Sequence, residues 1–216
     1  MDSTRYFYEE VSKTLERVCN EQAENIQKAL KNVLPEFEAS ASEAMTVDEL
    51  PVIVHTAKVG DQIVGYAVET MTTKGFSGVF RLMVGFRASG EVYNINVLEH
   101  SETPGLGSKM GDEGNSLLTS FKDKNLANMK QPLAVVKDGG DVQALTAATI
   151  SSRAYVDAVV RAYNAVQQVK GGANVATGAT SNSTEWSEGE PAAEQATAEE
   201  AAETVNEETQ KGEDNE

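Results

Sequence analysis

The sequence is poor in most of the residues that announce chemistry. One cysteine, Cys19, excludes an intramolecular disulfide. Two histidines, His55 and His100, stand far apart, without cysteines or grouped carboxylates at ligand spacing, so neither a metal centre nor haem is expected. No stretch reaches the roughly 18–20 consecutive apolar residues that a membrane span needs, and no signal peptide is evident. There is no Ser-His-Asp arrangement, no Walker A loop and no spaced carboxylate pair suited to acid–base work. Positive charge is also scarce. The formal net charge is −16, but twelve acidic residues and a single lysine fall in Ser183–Glu216, leaving 22 acids against 17 bases in the remainder. Such a polyanion is repelled by phosphate backbones, which sets nucleic acid aside as a partner.

What is present organises into one domain and a tail. Residues 5–34 read as a helix, with Tyr8, Val11, Leu15, Val18, Ile26, Leu30 and Val33 recurring at threes and fours and Pro35 as the stop. Cys19 falls within this pattern and reads as a buried structural thiol. From residue 51 the period becomes strand-like. "PVIVHTA" and "QIVGYAVETM" flank the turn pair Gly60-Asp61, and "GVFRLMVGFRA" and "EVYNINVLEH" flank Ser89-Gly90. Phe80, Leu82, Val84 and Phe86 share one face, which predicts an antiparallel sheet with a buried side. A short helix is expected within 112–121 and a last buried strand at "PLAVV", 132–136. A second long helix runs from Ile150 to Val169, with Ser151 or Ser152 as its N-cap and Gly171-Gly172 closing it. The fold class is therefore α+β, an antiparallel sheet packed with N-terminal and C-terminal helices. Residues 1–4 form a leader to the domain at 5–172, and 173–216, rich in Gly, Ala, Thr and Glu, reads as a disordered acidic tail.

Two segments stand out. "ETPGLGSKMGDEG" at 102–114 has the glycine density of a dinucleotide fingerprint, but no βαβ pattern follows, so a Rossmann site is rejected. Within it Pro104 fixes the chain and Leu106 is presented between two glycines, either in a plain surface loop or as an apolar cover for a planar ligand. "TAATISS" at 146–152 places small and hydroxylated residues just ahead of a helix whose first N–H groups lack partners and favour an anion. Either an ordinary capping turn or a phosphate site fits that pattern.

Taken together, "HSETPGLGSK" and the later "DVQALTAATISSRAYVDAV" resemble the covalent FMN-binding domain family. That domain is found in the G subunit of the Rnf electron-transport complex and the C subunit of the sodium-translocating NADH:quinone reductase. "LKNVLPEF", "IVGYAVET" and "LMVGF…GEVYNINVLEHSETPGLG" follow the family's order, so the resemblance spans about residues 5–170. It implies FMN joined by a phosphoester to the last threonine of a Ser/Thr-Gly-Ala-Thr segment, installed by a separate flavin transferase with FAD as donor. Carried onto Thr146-Ala147-Ala148-Thr149, the attachment residue is Thr149. Ser151 and Ser152 would add donors, Lys137 would help neutralise the phosphate, and Glu102, Thr103 and Leu106 would meet the ring or the ribityl chain. Ala147 departs from the family's glycine, and if that position needs φ > 0 the alanine costs about 1–2 kcal/mol. A literal "TGAT" ends at Thr180, but it lacks the following Ser-Ser and a helix, so Thr149 is preferred.

The resemblance thus implies an electron-carrying subunit of a membrane-bound, ion-translocating oxidoreductase, with no side chain acting as acid or base. Its partners would be the other subunits of an Rnf-type complex. It would lie on the outer face of the cell membrane, held by an N-terminal anchor preceding "DSTRYFY". Two alternatives carry different expectations. One is a flavin-free module binding a small ligand or partner, and the other a structural component of the complex docking through its acidic tail.

Overall fold

A computed structural model describes residues 3–172, with side chains from Arg17 onward. The acidic segment and Thr180 lie outside the described residues. Five strands form one sheet: β1 (Ala39–Val47), β2 (Leu50–Val59), β3 (Gln62–Gly75), β4 (Gly78–Arg87) and β5 (Val92–His100). They run in sequence order and each pairs antiparallel with the next. Helix α1 (Ser3–Val33) packs on one face and α3 (Thr149–Lys170) on the other, with the short α2 (Ser116–Phe121) between β5 and α3 in the chain. The architecture is the α+β sheet and helices that the sequence periodicity predicts.

The period-two alternation of β4 explains the layering. Phe80, Leu82, Val84 and Phe86 are buried against Val156, Val159, Val160, Tyr163 and Val166 of α3. The alternate residue Met83 joins Ala57 and Ala67 beneath Ala29, Leu30, Val33 and Leu34 at the end of α1. Gly85 is required where α1 meets the sheet, because a Cβ there would collide with the Val33 carbonyl. Burying both faces of the central strands supplies the hydrophobic stabilisation of the domain. Phe121 of α2 stacks on Tyr155 of α3 at a centroid distance of 6.4 Å, fixing the segment that leads toward α3.

Helix α3 is buried along most of its length, including charged residues. Asp157 and Arg161, one turn apart, pair at 2.6 Å with both side chains nearly inaccessible. Lys74 Nζ donates to Asp157 at 3.0 Å, and an Arg161 N–H donates to the Met71 carbonyl at 2.9 Å. Partnering on this scale is what makes burial of the charges tolerable, and it ties α3 to the end of β3. Gly171, at φ +69°, ends the helix in the left-handed conformation, as the Gly-Gly pair foretells.

Several local expectations are corrected. β1 is not expected from the sequence, because an edge strand with exposed side chains shows no apolar alternation. Its turn to β2 uses Asp48 and Glu49, both at positive φ (50° and 63°), in place of the glycines that usually mark such a turn. "PLAVV" is not a strand. Leu133, Ala134 and Val135 are buried, but their backbone turns inward on the loop, with Val136 N–H donating to the Val142 carbonyl at 2.9 Å and Val142 N–H to Ala134 at 3.1 Å. Gly140, pressed against the Ala134 carbonyl, permits that reversal. Cys19 is exposed, as is Val18, because only the last turns of α1 reach the sheet. No described helix is long and apolar enough to cross a membrane.

Candidate functional site

The segment "TPGL" folds as its residues dictate. Leu106 N–H donates to the Thr103 carbonyl at 3.2 Å, with Pro104 at the second position and Gly105 at φ +76° in the third. These are the marks of a type II turn, and they leave Leu106 on the surface, 41 % exposed. The Ser108 hydroxyl accepts from Gly105 N–H at 2.9 Å and braces the turn. A 3₁₀ turn over Gly107–Gly111 follows, with Gly107 and Met110 buried.

The second segment enters α3 through a strained residue. Ala147 has φ +57°, the left-handed region, where its Cβ crowds the backbone. Ala148 is the N-cap and its side chain cannot cap, so the helix begins at Thr149 without a capping side chain. The expectation that Ser151 or Ser152 caps the helix is therefore corrected. Both lie inside the first turn and are buried. The Ser152 hydroxyl accepts from Leu145 N–H at 3.0 Å and donates to the Ala148 carbonyl at 2.8 Å, so it stitches the turn together. Ala148 is itself buried, while Ala147 is exposed and Thr149 half-buried.

These two segments meet. A cleft of about 330 Å³ is lined by Glu102, Thr103, Leu106 and Gly107 from one side and Ala147 through Ser151 from the other. Phe76 completes it from the β3–β4 hairpin. Sequence reasoning missed Phe76, although its position in "GFSG", an aromatic on a two-glycine hairpin tip, was a usable signal. Phe76, Leu106 and Ile150 are all large apolar side chains left exposed at this cleft. Six of the residues implied by the resemblance (Glu102, Thr103, Leu106, Ala148, Thr149 and Ser151) line it together. Lys137, Thr146 and Ser152 do not.

Glu102 is the one charged side chain in the lining, and it is buried. Its carboxylate accepts from Ser77 N–H at 3.2 Å and from the Ser151 hydroxyl at 2.8 Å. The first cation along α3 is Arg153, one turn beyond Thr149, which no sequence motif singles out. It makes a bidentate pair with Asp138, with contacts of 2.7 and 2.6 Å. That hydrogen bond holds the Asp138 carboxyl below its ordinary range, burial opposing it and the charge of Arg153 adding to it. Lys137 neighbours this pair on a 3₁₀ turn at Val136–Asp138. Among the described residues no group of His, Cys, Asp or Glu is arranged to hold a metal ion.

The donor set can be tested against a flavin nucleotide. Apolar side chains from three segments offer a surface for a planar ring, and the volume lies in the ~300–1,000 Å³ range of small-molecule clefts. A threonine hydroxyl sits at the uncapped, electropositive start of a helix, where an anionic phosphate is stabilised. The residues present fit such a group.

Comparison with known proteins agrees with this geometry. The FMN-binding domain family matches residues 75–164, a range holding Phe76, both loops of the cleft and most of α3. The chain is 34% identical over 170 residues to the G subunit of the ion-translocating oxidoreductase complex of Shewanella loihica, covering 72% of this chain and 80% of that one. The G subunit of the same complex from Shewanella baltica is 33% identical over 161 residues, 69% of this chain and 76% of the relative. That of Escherichia coli is 41% identical over 110 residues, a match confined to about half of either chain (50% and 53%). The chain belongs to the family of ion-translocating oxidoreductase complex G subunits and carries an FMN-binding domain.

Proposed function

We propose that this protein is an electron-transfer subunit of an Rnf-type ion-translocating oxidoreductase, carrying FMN covalently on Thr149. The observation that supports this reading is the meeting of two sequence-distant loops around one cleft, with the Thr149 hydroxyl at an uncapped helix start. FMN, when bound, supplies one- and two-electron redox chemistry that no side chain provides. The chain's own residues hold and orient it. Phe76, Leu106 and Ile150 would cover the ring, Thr103 and Ala148 would border the ribityl chain, and the N–H groups at the start of α3 would face the phosphate. Neither Lys137 nor Arg153 lines the cleft, and Arg153, one turn from Thr149 on α3, would act on the phosphate only by sharing a guanidinium already paired with Asp138. Attachment forms the Thr149 Oγ–phosphorus bond as the pyrophosphate bridge of FAD breaks, AMP leaves and the hydroxyl gives up its proton. A flavin transferase would perform that step. The partners are the other subunits of the complex, and the domain works at the outer face of the cell membrane.

The test is peptide mapping by mass spectrometry after co-expression with a flavin transferase. FMN on the peptide containing Thr149, lost in Thr149→Ala with the fold retained, is the expected result. Covalent flavin persisting in Thr149→Ala, or found on Thr180, refutes the assignment. One observation favours a second reading, a flavin-free binding module of the same fold. Ala147 occupies a left-handed position that suits glycine, and the strain disfavours the loop shape a transferase must engage. An unmodified Thr149 peptide beside a flavinylated control substrate in the same cells would support that alternative.

A further inference from the structure

Glu102 is bound on both carboxylate oxygens by the protein itself. Oε1 accepts from the Ser77 amide at the tip of the β3–β4 hairpin, and Oε2 accepts from the Ser151 hydroxyl in the first turn of α3. Its own N–H donates to His100 Nδ1 at 3.3 Å, which anchors its backbone to the end of β5. Glu102 is 5 % exposed and Ser151 is 1 % exposed, so water does not compete effectively for either bond.

The space for this carboxylate is provided by two glycines. A Cβ on Gly75 would collide with the Gly78 carbonyl and stand 2.7 Å from Oε1, and one on Gly107 would stand 2.5 Å from Oε2. Neither glycine has a positive φ. Glycine is therefore needed at both positions for room and not for backbone conformation. The hairpin tip held through Ser77 carries Phe76, the loop that begins at Glu102 carries Leu106, and the helix turn held through Ser151 follows Thr149 directly. These are the three walls of the cleft.

We propose that Glu102 is a positioning residue that fixes the three walls of the flavin cleft relative to one another, acting through Ser77 and Ser151 and not as a flavin ligand. The consequence for the flavin rests on the function proposed above, whereas the latch itself does not. Ser151, with its proton committed to Glu102, then serves the latch and not the phosphate.

Three variants test it: Glu102→Ala, Glu102→Gln and Ser151→Ala. Glutamine keeps an acceptor for Ser77 N–H and gives Ser151 Oγ an amide donor, so it restores the latch without the charge. In unflavinylated protein, amide hydrogen exchange at Ser77 should quicken at least about tenfold in Glu102→Ala and stay within about threefold of the parent in Glu102→Gln. After co-expression with a transferase, attachment to Thr149 should slow by about tenfold in Glu102→Ala, and the circular dichroism of the attached flavin should weaken toward that of free FMN. Glu102→Gln should recover most of both, with Ser151→Ala intermediate. Unchanged exchange at Ser77 together with an unchanged flavin spectrum in Glu102→Ala overturns the proposal. If Glu102→Ala does not fold, a Ser151→Ala protein identical to the parent in both measurements does so. If the parent never receives flavin on Thr149, the functional reading fails, and the exchange data still decide the latch.

Discussion

Ala147 offers a perturbation whose sign is opposite to that of most substitutions in a folded domain. Its φ of +57° places an L side chain in the left-handed region just before α3. Relief of that strain by glycine is worth about 1–2 kcal/mol. Against it stands the greater entropy of glycine in the unfolded chain, about 0.4–1 kcal/mol. The Ala147 side chain is exposed, so no packing is lost. Ala147→Gly should therefore stabilise the domain by up to about 1.6 kcal/mol, centred on about 0.8, which for a domain of this size raises Tm by about 2–3 °C at the centre of that range. Ala148→Gly is the control. Its φ of −137° is ordinary and its methyl is buried. It should lose about 0.8 kcal/mol of methyl burial and about 0.4–1 kcal/mol to glycine's greater freedom in the unfolded chain, offset in part by glycine's advantage over alanine at an N-cap. Thermal and urea unfolding of the unflavinylated proteins read both effects. A lower Tm for Ala147→Gly, or equal shifts for the two variants, would refute the strain argument. Under the functional proposal, Ala147→Gly should also receive flavin faster than the parent.

The remaining predictions are independent of one another. Gly85→Ala drives a methyl into the Val33 carbonyl and should cost about 1–3 kcal/mol by urea unfolding, with α1 displaced from the sheet. Asp138→Asn should lower stability by about 0.5–1 kcal/mol at pH 7, since Arg153 is partly exposed. Because the folded-state pKa of Asp138 lies below its ordinary value of 3.8, this contribution is present above that value and lost as pH falls through the depressed one. Parent and variant should converge as the pH falls below the depressed Asp138 pKa, and a gap that stays constant with pH would exclude the ion pair as its source. Phe76→Ala should leave stability within about 0.5 kcal/mol, since Phe76 is 59 % exposed, and under the functional proposal it should make bound flavin more accessible to iodide quenching. Unchanged quenching would remove Phe76 from the ring's cover.

What the sequence determined on its own was whatever local chemistry enforces. The alternation of Phe80, Leu82, Val84 and Phe86 requires a strand with one buried face, and the Val156–Val169 spacing requires a helix, whatever lies around them. "TPGL" is a type II turn because proline and glycine occupy the positions whose φ values only they suit well. The two motifs, read together, were also enough to suggest the family. Long-range packing decided the rest. β1 is a strand because β2 offers it an edge, and no property of "ASASEAMTV" says so. "PLAVV" has strand composition, yet its backbone groups are satisfied within its own loop. Cys19 and Val18 belong to an apolar helical stripe, but α1 outruns the sheet that would have buried them. At the cleft the sequence could name Thr149 and Leu106 but not Phe76, which a hairpin delivers from elsewhere in the chain. Nor could it show that Glu102 is held by Ser77 and Ser151, 25 and 49 residues away, because a hydrogen bond between distant residues leaves no period in the sequence.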